Sequence, residues 1–161
     1  MRFVVHEHQS SHHHFDFRLE MSGVLKSWAV PKGPSLNPAE RRLVIQVPDH
    51  SLKYGRWEGI IPEGEYGAGA VAIWDEGEYR MLQGKDTQEQ WEKGNLSFML
   101  WGKILKGGFS LLKMKGRGAA KEWLLIKKKD SYAHGGWKIK TALTPEKLSH
   151  LKVERPPCQM E

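Results

Sequence analysis

One cysteine in 161 residues, Cys158, rules out an internal disulfide, so the fold must be held by its core. No apolar run is long enough to cross a bilayer, and no secretory pattern opens the sequence. No membrane partner is therefore expected, and the expected location is cytoplasmic. Neither a serine nor a cysteine nucleophile elbow is present. The glycine-rich stretch 58–69 lacks the Lys-Ser/Thr ending of a phosphate loop and does not follow the dinucleotide pattern. It reads instead as a tight turn into a strand. With no nucleophile in evidence, any hydrolysis would have to use water activated by a metal. Acidic charge is in deficit: the net charge is +6 and the isoelectric point about 9.4. That favours an anionic partner, most simply nucleic acid. Lys26, Lys32, Arg41, Arg42, Lys53 and Arg56 concentrate the cations in one part of the chain.

What is abundant is histidine in one place. Five of eight histidines fall between His6 and His14, and the run leads straight into His14-Phe15-Asp16-Phe17-Arg18-Leu19-Glu20. An affinity tag is a longer unbroken run in flexible sequence; here only His12-His13-His14 are consecutive. Alternation at a period of two predicts a strand with Phe15, Phe17, Leu19 and Met21 toward a core. His14, Asp16, Arg18 and Glu20 then share the other face, which reads as the lining of a site.

Short apolar or alternating runs recur at 3–7, 15–21, 25–30, 43–47, 70–74, 78–82, 96–101, 109–115 and 123–127, with Gly and Pro between them. That spacing predicts an all-β barrel or sandwich. Helix is expected only at 87–93 and at 144–151, where Thr144 caps a helix with Pro145 in its first turn. Trp28, Trp74, Trp101 and Trp123 lie in apolar strands and are expected in the core. The composition changes after Asp130, dividing the chain into a β domain, 1–130, and a C-terminal extension, 131–161, partly helical or frayed.

Two imidazoles and a carboxylate form a facial donor set for manganese, iron or zinc. His14 and Asp16 supply two donors from one strand; His8, His6 or a distant His50 can supply the third. Arg18, next on that face, is a natural clamp for a phosphoryl or carboxylate group. His50 is a candidate general acid or phosphate ligand, because imidazole titrates near neutral pH.

These residues fall within longer motifs. They are His8 six before His14; Leu25-Lys26-Ser27-Trp28-Ala29-Val30-Pro31-Lys32-Gly33-Pro34-Ser35; Asp49-His50; Glu58-Gly59 through Gly67-Ala68-Gly69; Ile73-Trp74-Asp75; and Trp123-Leu124-Leu125-Ile126-Lys127. Together they resemble the 3′-phosphoesterase module of bacterial DNA ligase D and its stand-alone relatives, over about residues 3 to 130. The resemblance implies a compact closed β-barrel with a polar pocket and few short helices. It implies a manganese-dependent enzyme, with Co2+ or Zn2+ as other usable ions. That enzyme would remove a 3′-terminal ribonucleoside as a phosphodiesterase. It would then remove the remaining 3′-phosphate as a phosphomonoesterase, leaving a 3′-OH for repair. The family's metal ligands fall on His8, His14 and Asp16, and its phosphate-contacting or catalytic residues on Arg18, Lys32, Arg42, His50 and Tyr54. His6, His12 and His13 are left without a role. This sequence has Ser11-His12-His13 where relatives carry a basic pair and a leucine, and Pro48 where they carry an acid.

The implied partners are DNA or DNA/RNA 3′ ends and a separate ligase, polymerase and Ku of an end-joining system, with the chain itself a monomer. Two other classes share parts of the pattern. A non-haem iron oxygenase also uses His-x-Asp and a later His, and a non-catalytic nucleic-acid-binding module would need only the basic face.

Overall fold

The computed structural model describes residues 1–82, 86–116 and 120–157. The breaks read at Gly84-Lys85 and 117–118, and Cys158, lie outside them. Among the described residues nine strands form: β1 Arg2–Gln9, β2 His13–Met21, β3 Val24–Val30, β4 Arg42–His50, β5 Gly59–Ile61, β6 Gly69–Met81, β7 Asn95–Gly102, β8 Lys106–Lys113 and β9 Glu122–Lys127. The α-helices among the described residues are short: α1 Thr87–Lys93, between β6 and β7, and α2 Pro145–His150, after β9. No described helix is long and apolar enough to cross a membrane.

The sheet runs β1-β2-β3-β4-β9-β8-β7-β6 and closes on itself because β6 also pairs with β1. The result is an eight-stranded antiparallel barrel, with β5 added beside the start of β6. Alternation decides what fills it. Phe3, Val5, Phe15, Phe17, Leu19, Trp28, Phe98, Phe109 and Trp123 are all 3% exposed or less and form one core. Phe17 meets Phe3, Trp28 and Phe98 at ring-centroid distances of 6.0–6.3 Å. Trp91 of α1 stacks on Trp123 at 5.4 Å.

Trp101 departs from its expected place. Leu96, Phe98 and Leu100 take the inward parity of β7, so Trp101 faces out, 44% exposed beneath the Arg80 guanidinium. The sequence also suggests two strands, 70–74 and 78–82, where the structure has one 13-residue strand. Gly77 is not a break. It marks where β6 passes from β1 to β7, and a Cβ there would collide with the Trp101 carbonyl. Closing a barrel with one long strand needs such a close approach of backbones.

The C-terminal residues lie against the barrel. Glu7, wholly buried, accepts from His13 Nε2 at 2.6 Å, from the Leu143 N–H at 3.2 Å and from Thr141 and Ala142. Trp74 Nε1 donates to Lys140 O at 2.7 Å, and Trp137 packs on the core. Further on, Val153 bridges Ile60 of β5 in parallel.

Gly69 ends the turn that precedes β6, with φ of +127°, and a Cβ there would collide with the Gln9 carbonyl of β1. Gly69→Ala is therefore expected to cost about 2–4 kcal/mol of stability, combining backbone strain with overpacking. Urea unfolding measures it; a loss below ~0.5 kcal/mol would show that β1 and β6 part freely at this point.

Candidate functional site

The antiparallel register of β1 and β2 builds the site. His8 lies opposite His14, His6 opposite Asp16 and Val4 opposite Arg18, all on the face turned away from the core. On β3 the opposing residues are small, Ala29 beside Asp16 and Ser27 beside Arg18. His50 enters from the end of β4, opposite Leu25. Tyr54 comes from a single 3-10 turn, Leu52–Arg56, and its own N–H is capped by the Ser51 hydroxyl. Large polar side chains flanked by small ones leave a cavity of about 190 Å3, bounded above by Tyr66 and Gly67. A larger cavity of about 460 Å3, between α1, β7 and β8, contains none of the residues expected at the site.

His8, His14 and Asp16 present one donor atom each, all within 4.8 Å of one another. Their ring tautomers follow from neighbours that can only accept. His8 Nε2 is 2.7 Å from Gly67 O and His14 Nδ1 is 3.1 Å from His12 O, so those nitrogens carry the hydrogens. The bare nitrogens, His8 Nδ1 and His14 Nε2, lie 3.9 and 3.3 Å from Asp16 Oδ2. Backbone carbonyls thus do what outer-shell acceptors do around bound metals: they fix which nitrogen is free. Two oriented imidazoles and one carboxylate, with an open side toward the cavity, suit a borderline divalent ion.

Beside this trio lies Arg18, 2% exposed. Its Nε donates to His6 Nδ1 at 3.0 Å, its Nη1 to Ser27 Oγ at 2.9 Å and to His50 Nδ1 at 3.1 Å, and its Nη2 reaches Asp16 Oδ2 at 3.4 Å. The guanidinium also lies 4.9 Å from the Tyr54 ring centroid. Glu20, on the same strand face, is instead bonded to the Arg2 N–H. His50 Nδ1 is claimed twice, by Arg18 and by Pro48 O at 3.0 Å. An arginine can only donate and its bond is charge-assisted, so we assign Nδ1 as the acceptor and place the ring proton on Nε2.

Six of the eight expected residues therefore converge: His8, His14, Asp16, Arg18, His50 and Tyr54. Lys32 and Arg42 do not line this cavity. They border a separate depression with Pro31, Arg41, Leu43 and Ile45, where Arg42 Nε donates to Gly33 O at 2.9 Å. His6 has no role in the family pattern, and the structure gives it one. Wholly buried, it accepts from Arg18 through Nδ1 and donates from Nε2 to Trp57 O at 3.1 Å. Its signal was parity, since His6 shares the strand face of His8. Ser27 gave no signal until strand register placed it against Arg18.

The profile of the DNA ligase D 3′-phosphoesterase domain matches residues 6–113, a stretch that holds all eight expected residues. The chain belongs to this 3′-phosphoesterase domain family. It is 50% identical over 133 residues to the multifunctional non-homologous end joining protein LigD of Pseudomonas aeruginosa, covering 83% of this chain and 16% of that protein. The proteins of the same name from Mycobacterium bovis and Mycolicibacterium smegmatis are 43% and 39% identical, over 71% and 80% of this chain and 15% and 17% of theirs. The chain thus spans about a sixth of the length of these relatives.

Charge in this phosphoesterase-family pocket is set by burial and by Arg18. Burial pushes the Asp16 carboxyl up, but the Arg18 guanidinium and the neighbouring His14 outweigh it and hold it at about 2. His14 is raised, chiefly because the Asp16 carboxylate beside Nε2 favours a second proton on the ring. Burial, helped by Arg18, lowers His6 and His8, and takes His50 down to about 4. Burial raises the Tyr54 hydroxyl.

The sign of the pH dependence follows. His6, His8 and His50 have folded pKa values below the ordinary 6.5, so below that pH the unfolded chain binds protons that the folded chain refuses. Stability should fall as pH drops from about 6.5 toward about 4. Asp16 keeps its contribution until lower pH, because its carboxyl stays ionised down to about 2. His14, raised, acts in the opposite sense: its contribution is present below about 6.5 and is lost as pH rises above that. Urea midpoints between pH 7.5 and 4.5 measure this. A midpoint that stayed constant over that range would mean that the buried histidines titrate normally.

Proposed function

We propose that this chain is a manganese-dependent phosphoesterase that heals DNA 3′ ends. It would remove a terminal ribonucleoside as a phosphodiesterase and then the 3′-phosphate as a phosphomonoesterase. The observation that carries the reading is the convergence of the His8–His14–Asp16 donor set with Arg18 and His50 in one small cavity. Family membership and the relatives' name, an end joining protein, support it.

His8, His14 and Asp16 would hold the ion. A divalent ion in that position supplies Lewis acidity toward a phosphoryl oxygen and toward water. The other roles belong to the chain. Arg18 stabilises the charge that develops on the phosphoryl oxygens, from a position fixed by His6 and Ser27. His50, neutral and with its ring proton on Nε2, offers that N–H as a hydrogen-bond donor to a phosphoryl oxygen. Tyr54 packs beside His50, ring centroids 4.7 Å apart, and excludes water from Arg18. In the first step water adds to phosphorus and the P–O bond to the terminal ribonucleoside breaks, releasing its 5′-OH; in the second the P–O bond to the strand breaks and leaves the 3′-OH, the leaving oxygen in each case taking up a proton that the attacking water gives up.

Charge counting supports an anionic substrate. With neutral histidines, Asp16 contributes −1, Arg18 +1 and a divalent ion +2. The net +2 matches a terminal phosphate dianion better than any neutral group. Lys32 and Arg42, in their separate depression, are suited to the strand backbone beyond the reacting phosphate. The 3′-OH product is what a separate polymerase or ligase of an end-joining system requires.

Labelled strands ending in a 3′-ribonucleotide or a 3′-phosphate, incubated with Mn2+, Co2+, Zn2+ or chelator, test the reading. We expect metal-dependent 3′-OH product from wild type and none from His14→Ala; absence of any metal-dependent product from either strand would overturn it. The role of Arg18 has its own test. Arg18→Ala should lower kcat by about 10²- to 10³-fold, as loss of a charge-stabilising donor does, while Mn2+ affinity changes by less than about threefold. Equal losses in both would place Arg18 in ion binding instead.

A further inference from the structure

The cavity cannot hold a whole nucleotide. At about 190 Å3 it is below the roughly 300–1,000 Å3 of pockets that engulf a small ligand. Its polar floor of His8, His14, Asp16, Arg18 and His50 accounts for a phosphoryl group, so the attached nucleoside must project through the mouth. What the mouth offers a nucleobase is therefore decisive.

It offers Tyr66, 75% exposed. Isolated exposed apolar side chains are ordinary on protein surfaces and need no function. Tyr66 differs by position: of the nine exposed large hydrophobic residues among those described, it alone lines this cavity. It also stands on a stiffened turn. Glu65 N–H donates to Pro62 O at 3.3 Å and Ala68 N–H to Glu65 O at 3.1 Å, closing two consecutive turns around it. Gly64 and Gly67 take φ of +84° and +78°, conformations that glycine adopts without strain. Glu65 pairs with Arg155 at 2.7 Å, and Gly67 O accepts from His8 Nε2. The ring is exposed and the backbone beneath it is held on both sides, so a base stacking there costs little ordering of the protein.

We propose that Tyr66 is the stacking platform for the base of the nucleoside that carries the reacting 3′-phosphate. Aromatic stacking uses the π-face common to all bases, so this subsite accepts any of the four while requiring that a base be present. The proposal deepens the phosphoesterase reading and rests on it for the position of the phosphate.

The experiment pairs a change in the protein with a change in the strand. Wild type, Tyr66→Ala and Tyr66→Trp are assayed with Mn2+ on two 3′-phosphate strands, one with a normal terminal nucleoside and one with an abasic terminal residue. Tyr66→Ala should lower kcat/KM by roughly 5- to 100-fold on the normal end and by less than about twofold on the abasic end. Tyr66→Trp should stay within about threefold of wild type on both. Equal losses on the two ends would overturn the stacking role and leave Tyr66 acting through Gly67 on His8; no loss on either end would overturn it as well. Equilibrium affinity for the same strands, read by fluorescence anisotropy, needs no turnover. A base-dependent Tyr66 effect on affinity without phosphate release would overturn the phosphoesterase reading while supporting the stacking site.

Discussion

Arg18 carries a full positive charge with 2% of its surface left to solvent, and the site is organised around that burial. An isolated buried ion is unfavourable by far more than a domain's net stability, so its neighbours must either bond to it or carry the opposite charge. Four do so, and only one is an anion. His6, His50 and Ser27 accept hydrogen bonds as neutral groups, and Asp16 supplies the counter-charge at 3.4 Å. Burial first, and then repulsion from the same guanidinium, keep His6 and His50 neutral, so the cation helps to maintain the acceptors that it needs. Asp16 is the shared element. Its Oδ2 faces Arg18 on one side and both His8 and His14 on the other. A group that draws on Asp16 from the histidine side leaves Arg18 less compensated, and an anion beside Arg18 restores the balance.

The barrel makes this arrangement possible because the core is already complete without it. Both faces of β2 are buried, but by different means. Phe15, Phe17 and Leu19 join the aromatic interior, while Asp16 and Arg18 lie under Tyr54 and the residues before β6. Apolar packing supplies the stability, and the opposite face of the same strand is free to carry a costly charge. This division also explains why the polar set sits on strands rather than on loops. Its side chains are held by a hydrogen-bonded ladder whose position the core fixes.

How much was readable in the sequence follows from which spacings are local. Parity along one strand separated His14, Asp16 and Arg18 from Phe15 and Phe17, because a period of two needs no knowledge of partners. The number of strands and their turns pointed to a barrel or sandwich for the same reason. β6 is longer than either apolar run, 70–74 or 78–82, because the polar residues between them and Gly77 continue the strand, Gly77 allowing two backbones to touch. Trp101 was misplaced because an apolar run does not say which parity faces inward. His6 and Ser27 required register between strands: both meet Arg18 across a ladder, and no pattern within β1 or β3 alone announces that. Lys32 and Arg42 are close to the site in sequence logic yet border another depression, since β3 has left the cavity by Pro31.

Two kinds of support meet at His8. From below, the β1–β2 ladder sets its backbone opposite His14. From above, Gly67 O fixes its ring, and that carbonyl belongs to a turn with little apolar burial of its own. The turn and β5 are secured from the far end of the chain. Ile60 bonds to Lys152 O and Glu154 N–H, Lys147 pairs with Glu58 at 2.7 Å, Trp57 Nε1 donates to Glu154 at 3.0 Å, and Arg155 pairs with Glu65. These braces lie beyond residue 113, where the family match ends. A donor atom held only from below would keep its position but not its tautomer. The C-terminal residues thus brace β5 and, through Arg155 and Glu65, the turn whose Gly67 carbonyl meets the His8 ring.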